Sequence, residues 1–250
     1  VCATGELAAR DMPAVHRTLR ARLDRVRPLE ALTSIVLRHG DMQRAVMGDG
    51  LVHRERRAGA TDIIVRERAG GFSQAHGALN TALQQAVLDA AGPPPPALGA
   101  SPLLELYCGA GNLTLPLLGA GWDVDAVDVA DPAVRAGAAA WREHEDRRGR
   151  GRFIVGNLER GLPPEVHATP GRYQVVVADP PRAGLAGPLV RAVAAHAPRR
   201  IVYVACDPPA LARDAARLRA HGYRLDALTI LDMFPRTPHV EVVATFTALE

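Results

Sequence analysis

Four consecutive prolines, Pro93-Pro-Pro-Pro96, can neither continue a helix nor donate to a sheet ladder, so they cut the chain into two stretches that fold by different rules. After them the apolar pattern alternates regularly. Strands are expected at 103–107, 122–128, 152–155, 173–178 and 200–205, with helices from about 112 and at 132–146, 186–196 and 208–220. Strands alternating with helices require a mostly parallel sheet covered on both faces. Two last strands, about 224–231 and 240–247, are separated by the Asp232–His239 loop with no helix between them, so they pair antiparallel at the end of the sheet. Before the prolines, a helix near 8–26, strand-like runs near Thr33–Arg38, Gln43–Met47 and Asp62–Arg66, and a helix near Ala78–Ala91 read as a small α+β unit. The expected domains are therefore 1–92 and 93–250.

With 250 residues and 48% hydrophobic composition, the chain can bury a sizeable core. No apolar run approaches the roughly 18 residues of a membrane span, and the start carries no secretory pattern. A soluble, cytoplasmic, monomeric protein with no membrane partner is expected. Val1 in place of Met reads as a processed or partial chain. Three cysteines, Cys2, Cys108 and Cys206, are too few and too dispersed for a disulfide framework, a zinc site or a cluster, which fits a reducing compartment and no metal. All 30 basic residues are Arg, and residues 1–92 hold 13 of them against 10 acidic residues, whereas 93–250 hold 17 against 17. That bias suits an RNA-facing first region; a solvated mixed surface would look the same.

Chemistry-bearing residues gather where the expected strands end. Leu103-Leu-Glu-Leu-Tyr-Cys-Gly-Ala-Gly-Asn112 places Gly109 and Gly111 between a strand and a helix, where a ligand can approach the backbone. Thr114 stands where a dinucleotide fingerprint needs a third glycine, which argues against a nicotinamide. Asp128 ends the next strand, placed to accept from ribose hydroxyls, and Asn157 follows the third, within reach of an adenine or ribose. Asp179-Pro-Pro-Arg182 closes the fourth as a rigid wall. Together they point to an adenosyl cofactor.

Cys206 ends the apolar run Ile201–Ala205, and Glu241 closes Phe234-Pro-Arg-Thr-Pro-His-Val-Glu. Alone, the thiol reads as a small buried hydrophobe and the glutamate as an exposed strand carboxylate. A nucleophilic thiol needs its pKa lowered, and a helix starting near Pro208 or the Arg182 guanidinium could do so.

These segments resemble the S-adenosylmethionine-dependent RNA 5-methyluridine (uracil-C5) methyltransferases, over about residues 72–247. Leu-Tyr-Cys-Gly-Ala-Gly-Asn, Asp-Pro-Pro-Arg-Ala-Gly, Val-Ala-Cys-Asp-Pro and Asp-Met-Phe-Pro-Arg-Thr-Pro-His-Val-Glu occur in family order. The resemblance implies a class I methyltransferase, Rossmann-like α/β fold binding S-adenosyl-L-methionine. It gives cofactor contacts to Gln74, Tyr107, Asn112, Asp128, Asn157 and Asp179 beside the two glycines. It makes Cys206 the nucleophile and Glu241 the base, leaves Cys108 to packing, and leaves Asp232 and His239 to loop fixing. The substrate implied is a uridine in tRNA or rRNA, flipped out or unpaired. Because aromatic content is only 4%, Arg17, Arg20, Arg54, Arg56 and Arg57 are candidates for phosphate contacts, although salt-bridged surface arginines would look the same.

The chain departs from the family pattern at Asp207, where Asn is usual and a carboxylate would raise the thiol pKa by repulsion, and at His76. Cys2 alone cannot hold the iron–sulfur cluster that some members carry. Arg182 stands where base amino-methyltransferases carry a stacking aromatic, which argues against that class. An RNA cytosine-C5 methyltransferase would use a similar thiol but a different context around it, and a noncatalytic RNA-binding relative is the alternative outside enzymes.

Overall fold

The computed structural model describes residues 12–23, 35–39, 42–47, 51–58, 61–68, 77–95, 102–145, 147–167, 171–233, 236–237 and 239–249. The chain divides into two compact units, Val1–Arg54 with Arg66–Gly71, and Glu55–Val65 with Phe72–Glu250. In the smaller unit, α1 (Met12–Leu23) packs on the antiparallel pair β1 (Ile35–His39) and β2 (Met42–Met47), in which Leu37 faces Arg44. Strands β3 (Leu51–Ala58) and β4 (Thr61–Arg68) form a second two-stranded ladder. Strand β3 escapes the sequence reading because Arg54-Glu-Arg-Arg57 interrupts any alternation of apolar and polar residues.

The compact units do not meet at the expected boundary of 92/93. Helix α2 (Gly77–Ala91) belongs to the larger one, because Leu83, Val87 and Ala91 form one helical face that is fully buried in its core. Two further contacts hold its end: Arg200 Nη1 donates to Ala90 O at 2.9 Å, and Trp122 Nε1 donates to Gly92 O at 3.1 Å. The prolines follow this helix and do not separate it from what comes next.

The remaining elements alternate as expected, with the short helix α5 in addition: β5 (Pro102–Leu106), α3 (Thr114–Gly119), β6 (Asp123–Asp128), α4 (Asp131–Glu143), β7 (Gly151–Val155), α5 (Pro164–His167), β8 (Val175–Ala178), α6 (Gly187–Ala195), β9 (Arg200–Ala205), α7 (Pro208–Ala220), β10 (Tyr223–Leu231) and β11 (Glu241–Ala248). They build one seven-stranded sheet in the order β10-β11-β9-β8-β5-β6-β7. Strands β5 to β9 run parallel, whereas β11 lies antiparallel to β9 and to β10. This is the mostly parallel α/β sheet with an antiparallel terminal edge that the pattern predicts.

Alternate strand residues feed two cores. Leu103, Val124, Val175, Val177, Val202 and Val204 pack under α2, α3 and α4; Leu104, Leu106, Val176, Ile201 and Tyr203 pack under α6 and α7 on the other face. Both faces of the central strands are therefore covered, while β10 stays largely exposed, and each fully buried large apolar side chain contributes roughly 1.5–3 kcal/mol. The parallel strands all end at one edge of the sheet, where open α/β folds bind ligands.

Candidate active site

The glycine turn after β5 is tied to the end of β6. Cys108 N donates to Val127 O at 3.1 Å, and Gly109 N donates to Asp128 Oδ2 at 2.9 Å. Asp128 Oδ1 accepts from Ala130 N at 2.8 Å, so each carboxylate oxygen keeps a free lone pair for a ligand hydroxyl. The turn uses positive φ three times, at Tyr107 (65°), Gly109 (53°) and Gly111 (92°). A side chain at Gly111 would press on Leu115 Cγ at 3.1 Å, whereas one at Gly109 would meet nothing within 4 Å, so the backbone there faces open space. Tyr107 holds this conformation with a bulky side chain, which happens only where the surroundings enforce it. Burial also pushes its phenol up to about 12.

Asn112, to which the resemblance assigns a cofactor contact, is tied to α2. Its side-chain amide exchanges two hydrogen bonds of 2.9 Å with the amide of Asn80, and Gln84 Nε2 reaches Asn112 O at 2.9 Å and Oδ1 at 3.3 Å. Asn80 and Gln84 are both buried on α2, so the glycine turn is bolted to that helix. Asn157 caps a short 3-10 turn, Leu158–Arg160, by accepting from Glu159 N at 3.0 Å, and otherwise stands exposed beside the end of β7. Val129, next to Asp128, is 63% exposed, an apolar surface at the strand end with nothing covering it. Gln74 and His76 lie outside the described residues, as does Cys2.

Beneath the turn, Glu105 is buried, and desolvation raises it to about 8, with Thr114 opposing the shift and Asp179 and Asp128 adding to it. A proton therefore sits on this carboxyl at neutral pH.

The second half of the site is set by register. Val242 faces Ala205 across the β11–β9 ladder, so Glu241 and Cys206, one step outward on antiparallel strands, come level with each other. Ala178 faces Tyr203 and Leu106, so Asp179 emerges at the same edge, with its N–H bonded to Leu106 O at 3.2 Å. Asp179, Cys206 and Glu241 thus come from three adjacent strands, and the charges interact. Desolvation, then Glu241, lifts Asp179 to about 7. Burial raises Glu241, against the pull of Arg182. Cys206 is only partly covered, and its thiol is raised by desolvation, then Glu241; Arg182 lowers it and Asp179 raises it again. Arg182 Nη2 lies 3.4 Å from His239 Nδ1.

Two expectations about the thiol change. The start of α7 does not lie open to Cys206, because Asp207 caps it, its Oδ2 accepting from Ala210 N at 3.0 Å. The repulsion expected from Asp207 is not among the influences on the thiol; Glu241 and Asp179 exert it instead. Cys108 is buried, consistent with packing. Arg17 is exposed on α1, while the side chains of Arg20, Arg54, Arg56 and Arg57 lie outside the described residues, so the proposed phosphate contacts rest on sequence. Among the described residues no three His, Cys, Asp or Glu side chains are grouped to hold a metal ion. No described helix is long and apolar enough to cross a membrane.

Residues 16–145 and 166–247 match the family model described as tRNA (Uracil-5-)-methyltransferase. Among curated proteins, the chain is 41% identical over 182 residues to a 23S rRNA (uracil(1939)-C(5))-methyltransferase, RlmD, of Alkalilimnicola ehrlichii, a match covering 72% of this chain and 39% of that protein. The RlmD of Thiobacillus denitrificans is 38% identical over 187 residues, covering 74% and 41%. The chain thus spans about two fifths of the length of these relatives. Among solved structures, the Pyrococcus abyssi tRNA (uracil-54, C5)-methyltransferase in complex with S-adenosyl-L-homocysteine superposes with a TM-score of 0.68 at 27% identity, covering 86% of this chain and 51% of that one. A Thermus thermophilus 16S rRNA methyltransferase shares the fold at 18% identity and a TM-score of 0.56, covering 96% and 62%.

Proposed function

The chain belongs to the tRNA (uracil-5-)-methyltransferase family, and on that premise we propose that it methylates C5 of a uridine in RNA, with S-adenosyl-L-methionine as methyl donor. The observation that carries the reading is the strand register that brings the Cys206 thiol level with the Glu241 carboxylate at the ligand-binding edge of the sheet. The relatives favour 23S rRNA as the substrate, and the Pyrococcus abyssi neighbour keeps tRNA as the second candidate.

The residues present fit such a cofactor. Open backbone at Gly109, the spare lone pairs of Asp128 and the bare face of Val129 offer an approach, a ribose acceptor and an apolar surface for adenine. Tyr107, Gly111, Asn157 and Asp179 complete the rim, Asn112 supports it through α2, and Gln74 enters on the resemblance alone. Bound S-adenosyl-L-methionine supplies a methyl group on a positively charged sulfur.

The chemistry assigned to the protein then runs as follows. Cys206, as thiolate, adds to uracil C6, and the ring electrons shift toward C5 and O4, which makes C5 a carbon nucleophile. Once C5 carries the methyl group, its remaining proton passes to Glu241, the C5–C6 double bond re-forms and the thiolate leaves. Burial suits Glu241 to this step, because a carboxylate whose pKa is raised is a stronger base. In the free chain burial and Glu241 favour the neutral thiol, and Arg182 is the cation that opposes them. A nucleophilic thiol of this kind belongs in a reducing compartment, which supports a cytoplasmic location.

The experiment is incubation of the chain with rRNA and tRNA lacking the modification and labelled cofactor, followed by nucleoside mass spectrometry. Label in 5-methyluridine is expected; label in 5-methylcytidine would replace the reading with the cytosine reaction. Cys206→Ala should abolish label, and Glu241→Gln should accumulate a denaturation-resistant RNA–protein adduct, because elimination then stalls.

A further inference from the structure

We propose that Asp214 is a positioning residue for Arg182: it fixes the loop after Asp179-Pro-Pro-Arg182 to α7, the helix that begins beside Cys206, and so keeps the guanidinium within range of the thiol.

Asp214 is completely buried, with a relative exposure of 0%. Its Oδ2 accepts from Leu185 N at 2.7 Å and from Tyr203 Oη at 2.9 Å. Two arginines of its own helix compensate the charge, Arg213 at 3.0 Å and Arg217 at 2.9 Å from Oδ1. Those arginines do more than neutralise. Arg213 Nη2 donates to Ala183 O at 2.6 Å and Arg217 Nη1 donates to Leu185 O at 3.0 Å. Between the two carbonyls sits Gly184, with φ at 74°, so close that a side chain there would overlap the Asp214 carboxylate. Ala183 and Leu185 are thus fastened to one buried carboxylate and its arginine partners, with Gly184 packed against it between them.

Helix α7 connects the two halves of the arrangement. Its cap, Asp207, follows Cys206 directly, and Asp214 lies two turns further along. One rigid element therefore sets the distance between the nucleophile and the loop that carries the cation. Around the thiol stand Arg182, Glu241 and Asp179, with His239 against the guanidinium; Arg182 alone among those acting through charge favours the thiolate. If the loop loosens, the two carboxylates are left unopposed.

The inference rests on reading Cys206 as the nucleophile, and its test is a thiol titration that needs neither RNA nor cofactor. The rate of iodoacetamide modification at Cys206, read by peptide mass spectrometry, is followed against pH for the native chain, Arg182→Ala, Asp214→Asn and the double variant. Removing a negative charge by its direct field would move the midpoint down. Loss of the positioned cation moves it up, by roughly half a unit for a partly exposed pair. The expected result is an upward shift of similar size in both single variants and no further shift in the double variant. An unchanged or lowered midpoint in Asp214→Asn, with only the melting temperature reduced, overturns the proposal, as does full additivity. Should Asp214→Asn fail to fold, Gly184→Ala, which pushes the loop off the carboxylate, must show the same upward shift, and an unchanged midpoint there is equally fatal. Failure of the methylation reading would appear separately, as a native chain that transfers no methyl group while its thiol still titrates as described.

Discussion

Replacing Asn112 by Ala cuts the bolt between the glycine turn and α2. Three side-chain hydrogen bonds disappear, two of 2.9 Å with Asn80 and a longer one of 3.3 Å from Gln84. At about 1 kcal/mol each, with the longest contributing less, the direct loss is about 2 kcal/mol. Asn80 is 8% exposed and would keep its own donors and acceptor without these partners, which adds about 1–3 kcal/mol. The total expected destabilisation is about 4 kcal/mol, and Asn80→Ala should cost about 3 kcal/mol by the same reasoning. The double variant orphans less than either single variant does, so its cost should fall short of the sum by about 1–2 kcal/mol. Urea unfolding measures this, followed by fluorescence of Trp122 and Trp141, both buried in the core that contains α2. A cost below about 0.5 kcal/mol for Asn112→Ala, or strict additivity of the two replacements, would refute the claim that the pair acts as one fastening.

Further expectations follow from the same geometry. Glu105 is raised from its ordinary 4.5 to about 8, so the folded chain holds a proton that the unfolded chain has released; this contribution is complete below pH 4.5 and is lost as pH rises toward 8. Glu105→Gln should flatten the fall of urea midpoints across that window, where the slope from one group is at most about 1.4 kcal/mol per pH unit, and parallel profiles would contradict it. Asp207→Ala removes the cap of α7 and should cost about 1 kcal/mol in the same unfolding assay. Gly111→Ala forces φ of 92° on a residue with a side chain and presses it on Leu115, and should cost about 1–3 kcal/mol while weakening cofactor binding measured by calorimetry; a neutral variant would mean that the turn adapts.

The alternation of strands and helices, the antiparallel end of the sheet and the stations of Asp128, Asp179, Cys206 and Glu241 at strand ends were legible because each rests on periodicity or on a motif read along the chain. What failed to show depends on faces meeting across the fold. Asn80 and Gln84 look like solvated positions of an amphipathic helix until the glycine turn closes over them. Asp214, beside Arg213 and three residues before Arg217, reads as an ordinary surface ion pair and is fully buried. The Asp207 cap has a local signal, an Asp directly before Pro208 and Pro209 at a helix start, and it occupies the helix end beside Cys206. Local stiffness at the prolines is legible in the sequence, whereas the burial of Leu83, Val87 and Ala91 against the larger unit is not.

Strand β11 lies between β9 and β10 although it is synthesised after both, and among the described strands β10 pairs with β11 alone. During vectorial synthesis, β5 to β9 can assemble as they emerge, while β10 must wait for a neighbour not yet made. Until then the Cys206 strand stands at an open edge, vulnerable to pairing with the wrong chain. Glu241 therefore comes level with Cys206 only once β11 has entered the gap between β9 and β10.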